Sequence, residues 1–237
     1  MTVLETHTTD SLLELVTAKS EVESLRLLTE LFPGQVAFSS SLGYEDQVIT
    51  DLILKNDLPI RIFTLDTGRL FEETYKTLQR TNRRYETKLE VVFPRHEAVE
   101  NLLNEKGPYS FYDSVENRKE CCFIRKVEPL NRALEGVKIW VTGIRAEQSG
   151  NRQEMHQIER DDAHDLFKFH PLLSWSFGKV QEYVKVNDVP YNLLHDKGFV
   201  SIGCAPCTRA IQPGEDFRAG RWWWEDESKK ECGLHAK

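Results

Sequence analysis

Apolar residues recur at helical spacing near the start of the chain: Leu12, Leu15 and Val16, then Leu25, Leu28 and Leu31. The pattern predicts one amphipathic helix over Ser11 to Leu31, stopped by Pro33-Gly34. Gln35 to Phe38 then reads as a short strand. A second helix is predicted from about Glu45 to Lys55, with Val48, Ile49, Leu52 and Ile53 on one face. Ile60 to Leu65 is a strand, Glu72 to Arg84 a helix, Leu89 to Phe93 a strand, His96 to Lys106 a helix and Ile139 to Gly143 a strand. Strands alternating with helices predict the α/β class, a parallel twisted sheet flanked by helices. No repeat, low-complexity segment or linker interrupts residues 1–237, which therefore read as a single domain. From about Gly214 the chain turns polar, Trp-rich and Gly-punctuated, and 214–237 is expected to be a mobile tail.

Composition narrows the function class. The 237 residues are 40% hydrophobic and 29% charged, as in ordinary globular proteins, with a formal net charge of −7. That charge disfavours a general nucleic-acid or membrane-surface binder. No apolar run is long enough to span a bilayer, and the acidic N-terminal stretch (Glu5, Asp10, Glu14, Glu21) does not read as a signal peptide. A cytoplasmic protein is expected, in which the five cysteines are metal ligands or reactive thiols rather than disulfides.

In open parallel sheets ligands bind beyond the carboxyl ends of the strands. Three stretches fall there. Ser39-Ser40-Ser41-Leu42-Gly43 is a small-residue turn between a strand and a helix, whose amides and hydroxyls suit phosphate oxygens. It lacks the Gly-Lys-Ser/Thr of a Walker loop, so P-loop NTPase chemistry is disfavoured. Leu65-Asp66-Thr67-Gly68 ends the next strand. Gly143-Ile144-Arg145, with Gln148 and Arg152 beyond, offers guanidinium to phosphate or sulfate. Each has a plain reading as a turn or solvated loop, and the coincidence of three strengthens the case for a nucleotide.

Four of the five cysteines form close sets. Cys204-x-x-Cys207 presents two thiolates from one turn, helped by Gly203 and Pro206. Cys121-Cys122 can serve the same centre only from a turn or helix end, because adjacent strand residues face opposite ways. Four thiolates suit zinc or an iron–sulfur cluster, and spacing does not choose between them. Inert buried thiols, or a Cys204/Cys207 redox pair, are the other readings. Cys232 stands apart, two residues after Lys230 and three before His235. Neighbouring cations favour its thiolate, and His235 is either an assisting group or an ordinary terminal histidine. The run Trp222-Trp223-Trp224 reads as a surface for the tail to fold on or as a partner-docking site.

Together these stretches resemble the assimilatory sulfonucleotide reductase family of adenylyl-sulfate (APS) and phosphoadenylyl-sulfate (PAPS) reductases, over nearly the whole chain. Ser39 to Gly43 is similar to the family's modified phosphate loop, Leu65-Asp66-Thr67-Gly68-Arg69 to its strand-end motif and Gly143 to Ser149 to its arginine loop. Glu231-Cys232-Gly233-Leu234-His235 matches its nucleophile motif. Cys121-Cys122 with Cys204-x-x-Cys207 resembles the branch that carries a [4Fe-4S] cluster and prefers APS. There the residue matching Lys126 lies between cluster and substrate, and those matching Arg218 and Arg221 contact the substrate's anionic groups. The resemblance implies an adenine nucleotide alpha hydrolase-like fold. It further implies attack by Cys232 on sulfur, an S-sulfocysteine intermediate and release of sulfite by reduced thioredoxin. A homo-oligomer, dimer or tetramer, is expected. The first loop is one residue longer than in some APS-specific members and resembles that of PAPS reductases, so PAPS or dual use is the alternative. A more distant one is an ATP-using adenylating enzyme of the same superfamily; another is a zinc-stapled nucleotide-binding protein.

Overall fold

The structure, a computed structural model, describes residues 7–148 and 154–226. In chain order the larger elements are α1 (Thr9–Thr17), α2 (Glu21–Leu31), β1 (Val36–Ser39), α3 (Tyr44–Lys55), β2 (Arg61–Leu65), α4 (Glu72–Arg84), β3 (Glu90–Val92) and α5 (His96–Lys106). They continue with α6 (Val115–Cys122), α7 (Glu128–Ala133), β4 (Ile139–Val141), β5 (Ile158–Asp161), β6 (Leu166–Phe169) and α8 (Phe177–Val186).

The six strands form one sheet in the order β3-β2-β1-β4-β6-β5. β1 pairs in parallel with both β2 and β4, β4 pairs in parallel with β6, and β5 runs antiparallel to β6 at the edge. The α/β expectation holds, with one antiparallel edge added. Chain contacts divide the molecule into two compact units. The first comprises Met1–Thr64, Lys76–Glu90 and Gly136–Asn192; the second comprises Leu65–Tyr75, Val91–Glu135 and Leu193–Lys237.

The first unit holds the main core. Phe38, Ile139, Val141 and Phe169 from the strands meet Val48, Ile49 and Ile53 of α3, all fully buried. Strands covered on both sides read as continuous apolar runs, which is why Ile139-Trp140-Val141 is buried at every position. α3 packs against α8 and α2. The single helix expected over Ser11 to Leu31 is two. Ala18 ends α1, and Ser20 starts α2 with a capping box: its hydroxyl accepts from the Glu23 amide while the Glu23 carboxylate accepts from the Ser20 amide. The apolar spacing runs through this joint because both helices bury the same kind of face.

In the second unit, Phe111, Cys204, Cys207 and Trp222 are buried together, with Cys121, Cys122 and Trp224 packed against them. The opening part of the expected tail, residues 214–226, is anchored here rather than loose. Trp222 is 1% exposed, and Glu225 forms a two-pronged ion pair with Arg118, Nε to Oε1 at 3.0 Å and Nη2 to Oε2 at 2.8 Å. An ion pair with side chains 1% and 4% exposed holds that segment far more firmly than its polar composition suggests. Among the described residues no helix is long and apolar enough to cross a membrane.

Candidate active site

In the first unit, the loop after β1 and the loop after β4 leave parallel neighbouring strands at their carboxyl ends. The Ser40 amide donates to the Phe63 carbonyl at 2.7 Å, continuing the β1–β2 pairing into the loop. The Ser41 amide and hydroxyl both donate to Asp46 Oδ2, at 2.5 and 2.6 Å. The Leu42 amide donates to Ser40 Oγ at 3.2 Å, and Leu42 takes a positive φ of 61°. Ser39 Oγ accepts the buried Trp140 indole N–H at 2.8 Å. Gly43 begins α3 without a side-chain cap, so the helix presents first-turn amides and the positive end of its dipole.

The arginine loop is tied to the same helix. Arg145 is 1% exposed. Its Nε donates to Glu45 Oε1 at 2.8 Å, its Nη1 to Glu147 Oε2 at 3.0 Å, and its guanidinium lies over Phe177. Gln148 Nε2 donates to the same Glu45 oxygen at 3.1 Å. Gly143 cannot carry a side chain here. A Cβ would collide with Asp46 Oδ1 and come within 3.1 Å of its Cγ. Burial pushes the Asp46 carboxyl up to about 6, against the two Ser41 bonds that pull it down.

The second unit holds the cysteines. Cys121 and Cys122 are the last residues of α6, where the chain widens into a π-helical turn over Phe123–Val127. This is the helix end that adjacent ligands require, and such turns concentrate at functional sites. Cys204 and Cys207 flank a short 3₁₀ turn at Ala205–Cys207. All four are free thiols. They line one recess with Arg69, Arg118, Arg125 and Lys126. Thr67 Oγ1 lies 3.2 Å from Cys204 Sγ, the Thr67 carbonyl accepts from Arg125 Nη1 at 2.6 Å, and the Arg69 carbonyl accepts the Ala205 amide at 2.8 Å. The Asp66-Thr67-Gly68 motif is therefore wired to the cysteines. Gly68 is needed for its φ of 69°, and its amide donates to Asp66 Oδ1. Tyr112 Oη donates to the Pro206 carbonyl at 2.6 Å, and Arg221 lies buried over the Trp222 ring and against Gly203. Arg218 also reaches over the Trp222 ring.

Burial, then the neighbouring Cys204 and Cys122, push the Cys207 thiol up to about 12, while Lys126 and Arg221 oppose this. Burial likewise raises Cys121. Thiols so placed ionise by binding a metal, which releases their protons. Among the described residues no three Cys, His, Asp or Glu donors converge where a single ion would sit. A four-iron cluster takes one thiolate on each iron and so spreads its ligands around a larger body. The donor set of four cysteines in one recess, backed by cations, fits such a group.

Sequence reasoning gave no site role to Asp46, Glu45, Arg118, Arg125 or Trp140. The near-identity of Glu45-Asp46 with ordinary helix-start acids hid the first two. Cys232 and His235, with Ser149 and Arg152, lie outside the described residues.

The phosphoadenosine phosphosulfate reductase domain model matches residues 35–210. This chain belongs to the phosphoadenosine phosphosulfate reductase family. Within that family, the adenosine 5′-phosphosulfate reductase of Burkholderia cepacia is 53% identical over 201 residues, 85% of this chain and 80% of that one. The adenosine 5′-phosphosulfate reductase of Allochromatium vinosum is 49% identical over 219 residues, 92% of this chain and 86% of that one. The crystal structure of phosphoadenylyl-sulfate reductase from Candida auris, a phosphate complex, superposes with a TM-score of 0.73 at 30% identity, covering 86% of this chain and 96% of that one. Candida glabrata FMN adenylyltransferase shares the fold alone, with a TM-score of 0.53 at 19% identity over 97% of this chain and 84% of that one. The expected fold is thereby met.

Proposed function

We propose that this chain reduces adenosine 5′-phosphosulfate to sulfite and AMP at the expense of a dithiol protein such as thioredoxin, in the assimilation of sulfate. Two observations support the substrate. Relatives at about half identity are named for it, and the two loops of the first unit offer hydroxyls, a helix N-terminus and Arg145 to an anionic nucleotide. The observation that carries the reading further is the gathering of Cys121, Cys122, Cys204 and Cys207 in one cation-lined recess.

The nucleophile in this reading is Cys232. Its thiolate attacks the sulfur of the phosphosulfate, the bond from sulfur to the bridging oxygen breaks, and the electron pair leaves with AMP. The product is S-sulfocysteine. A thiolate of the reductant then attacks the Cys232 sulfur and sulfite departs with the bonding pair. The reductant's second thiol resolves the mixed disulfide, which restores Cys232 and leaves the partner oxidised. Approach of a thiolate to a sulfonate is opposed by like charge. Lys126, Arg145, Arg218 and Arg221 are the cations assigned to offset it, in the manner of preorganised charge in other active sites. Ser39, Ser40, Ser41, Gly43, Leu65, Asp66, Thr67, Gly68 and Gly143 are assigned to the nucleotide, and His235 to the Cys232 thiolate.

Cys121, Cys122, Cys204 and Cys207 would hold a [4Fe-4S] cluster, which supplies structural cross-linking and local charge. Four free thiols suit a reducing, cytoplasmic setting. The test is intact-protein mass spectrometry of the iron-loaded enzyme after anaerobic incubation with APS, without reductant. A sulfonate adduct on Cys232, discharged as sulfite by reduced thioredoxin, is expected, and Cys232→Ser should form none while keeping its iron. Wild-type enzyme that holds its iron yet forms no adduct would refute the reading. Running PAPS in parallel tells whether a 3′-phosphate is accepted.

A further inference from the structure

The acidic pair at the head of α3 does work that helix-start acids do not normally do. Both polar hydrogens of Ser41 end on one oxygen of Asp46. The other oxygen fills the space over Gly143, in the next loop. Asp46 is buried, and it touches the substrate loop and the arginine loop at once. Glu45 beside it holds Arg145 and Gln148. With the Ser40 and Leu42 amides also engaged inside the protein, three consecutive loop amides already have acceptors.

We propose that Asp46 is the positioning residue of the substrate loop: it withdraws Ser41 from the ligand, sets the loop's shape and fixes its spacing from Gly143 and Arg145. The inference rests on the nucleotide assignment made above. It also refines that assignment. Ser41 is structural, and the anionic group of the sulfonucleotide is received by the hydroxyls of Ser39 and Ser40, by the amides at the start of α3 and by Arg145. The Trp140 indole fixes Ser39 in a matching way, taking one lone pair of its hydroxyl and leaving the O–H to donate. Asp46 carries no contact to the reacting sulfur in this scheme, so its loss falls on binding rather than on the chemical step.

The geometry supplies a specific test. A methyl group on Gly143 competes with the Asp46 carboxylate for one space. Gly143→Ala and Asp46→Ala should therefore damage the enzyme by the same route, and the double variant should be no worse than the worse single one. The experiment measures APS turnover and AMP binding by calorimetry for iron-loaded wild type, the two single variants, the double variant and Asp46→Asn. Asp46→Ala is expected to raise KM and weaken AMP binding about tenfold or more, corresponding to a buried hydrogen-bonded charge lost, with kcat within about threefold of wild type. Asp46→Asn, which keeps one acceptor, should recover most of the affinity. Thermal melting of each variant identifies any that fail to fold; if Asp46→Ala is among them, Gly143→Ala carries the comparison, with a similar loss of AMP affinity expected and wild-type affinity overturning the role.

Additive losses in the double variant, or AMP binding by Asp46→Ala and Asp46→Asn equal to wild type, would overturn the role of Asp46. A loss confined to kcat would overturn it too. Wild-type enzyme that holds iron but neither binds AMP nor turns over APS would instead bring down the nucleotide assignment itself.

Discussion

Asp46 is a buried acid whose environment favours its protonated form, and that makes its effect on stability readable by pH. Its carboxyl is raised from 3.8 to about 6, first by burial, with the Glu45 charge adding to the rise and the Ser41 bonds opposing it. A raised acid stabilises the fold while protonated. Its contribution is complete below pH 3.8 and is lost as pH climbs through about 6. The stability of wild type minus that of Asp46→Asn should therefore fall by about 2 kcal/mol between pH 4 and pH 7, measured by urea unfolding at matched pH. A flat difference would mean that Asp46 stays ionised throughout. Residues of this kind were not legible in the sequence. An acid in the first turn of a helix is expected on dipole grounds alone, and nothing in Glu45-Asp46 distinguishes a solvated pair from one folded back onto two loops. The cysteines were legible because their chemistry restricts them to few roles, whereas Arg118 looks like any surface cation until Glu225 is found against it.

Among the elements, those with strong periodic patterns or sharp stops were read closely. α4 and α5 fall where the spacing puts them, at Glu72–Arg84 and His96–Lys106. α6, α7, β5, β6 and α8 were not anticipated. α6 has the sequence Val-Glu-Asn-Arg-Lys-Glu-Cys-Cys, with almost no apolar stripe, and is held by its cap at Ser114 and by the cysteine recess. β5 is an edge strand carrying Glu159 and Arg160, the charged composition that edges favour and that sequence patterns miss. The joint between α1 and α2 was hidden by continuous apolar spacing, but Ser20 and Glu23 mark it. Ser20→Ala removes the hydroxyl half of that capping box and should lower the melting temperature by about 2–4 °C, checked by circular dichroism. No change would mean that packing alone sets the helix start.

At the scale of the whole molecule, the two units rest on different kinds of support. The first has an apolar core of strands and helices. The second is built around four thiols, aromatic rings and the buried Arg118–Glu225 pair. Glu225→Gln leaves a guanidinium in a site 1% exposed without its charged partner, and the loss expected is about 3–5 kcal/mol. Unfolding in urea, followed with the iron content, checks this. A loss under 1 kcal/mol would mean that water reaches Arg118 readily, on the scale of exposed pairs.

The cysteine recess also has a consequence for how the molecule is made. Its two thiol pairs come from segments about eighty residues apart, so at typical translation speeds Cys121 and Cys122 leave the ribosome on the order of ten seconds before Cys204 exists. Throughout that interval the nascent chain carries Cys121 and Cys122 before Cys204 and Cys207 have been made, and its second unit is unfinished. Any group held by all four thiols can therefore be completed only after Cys207 has been made, and until then the early pair is open to oxidation.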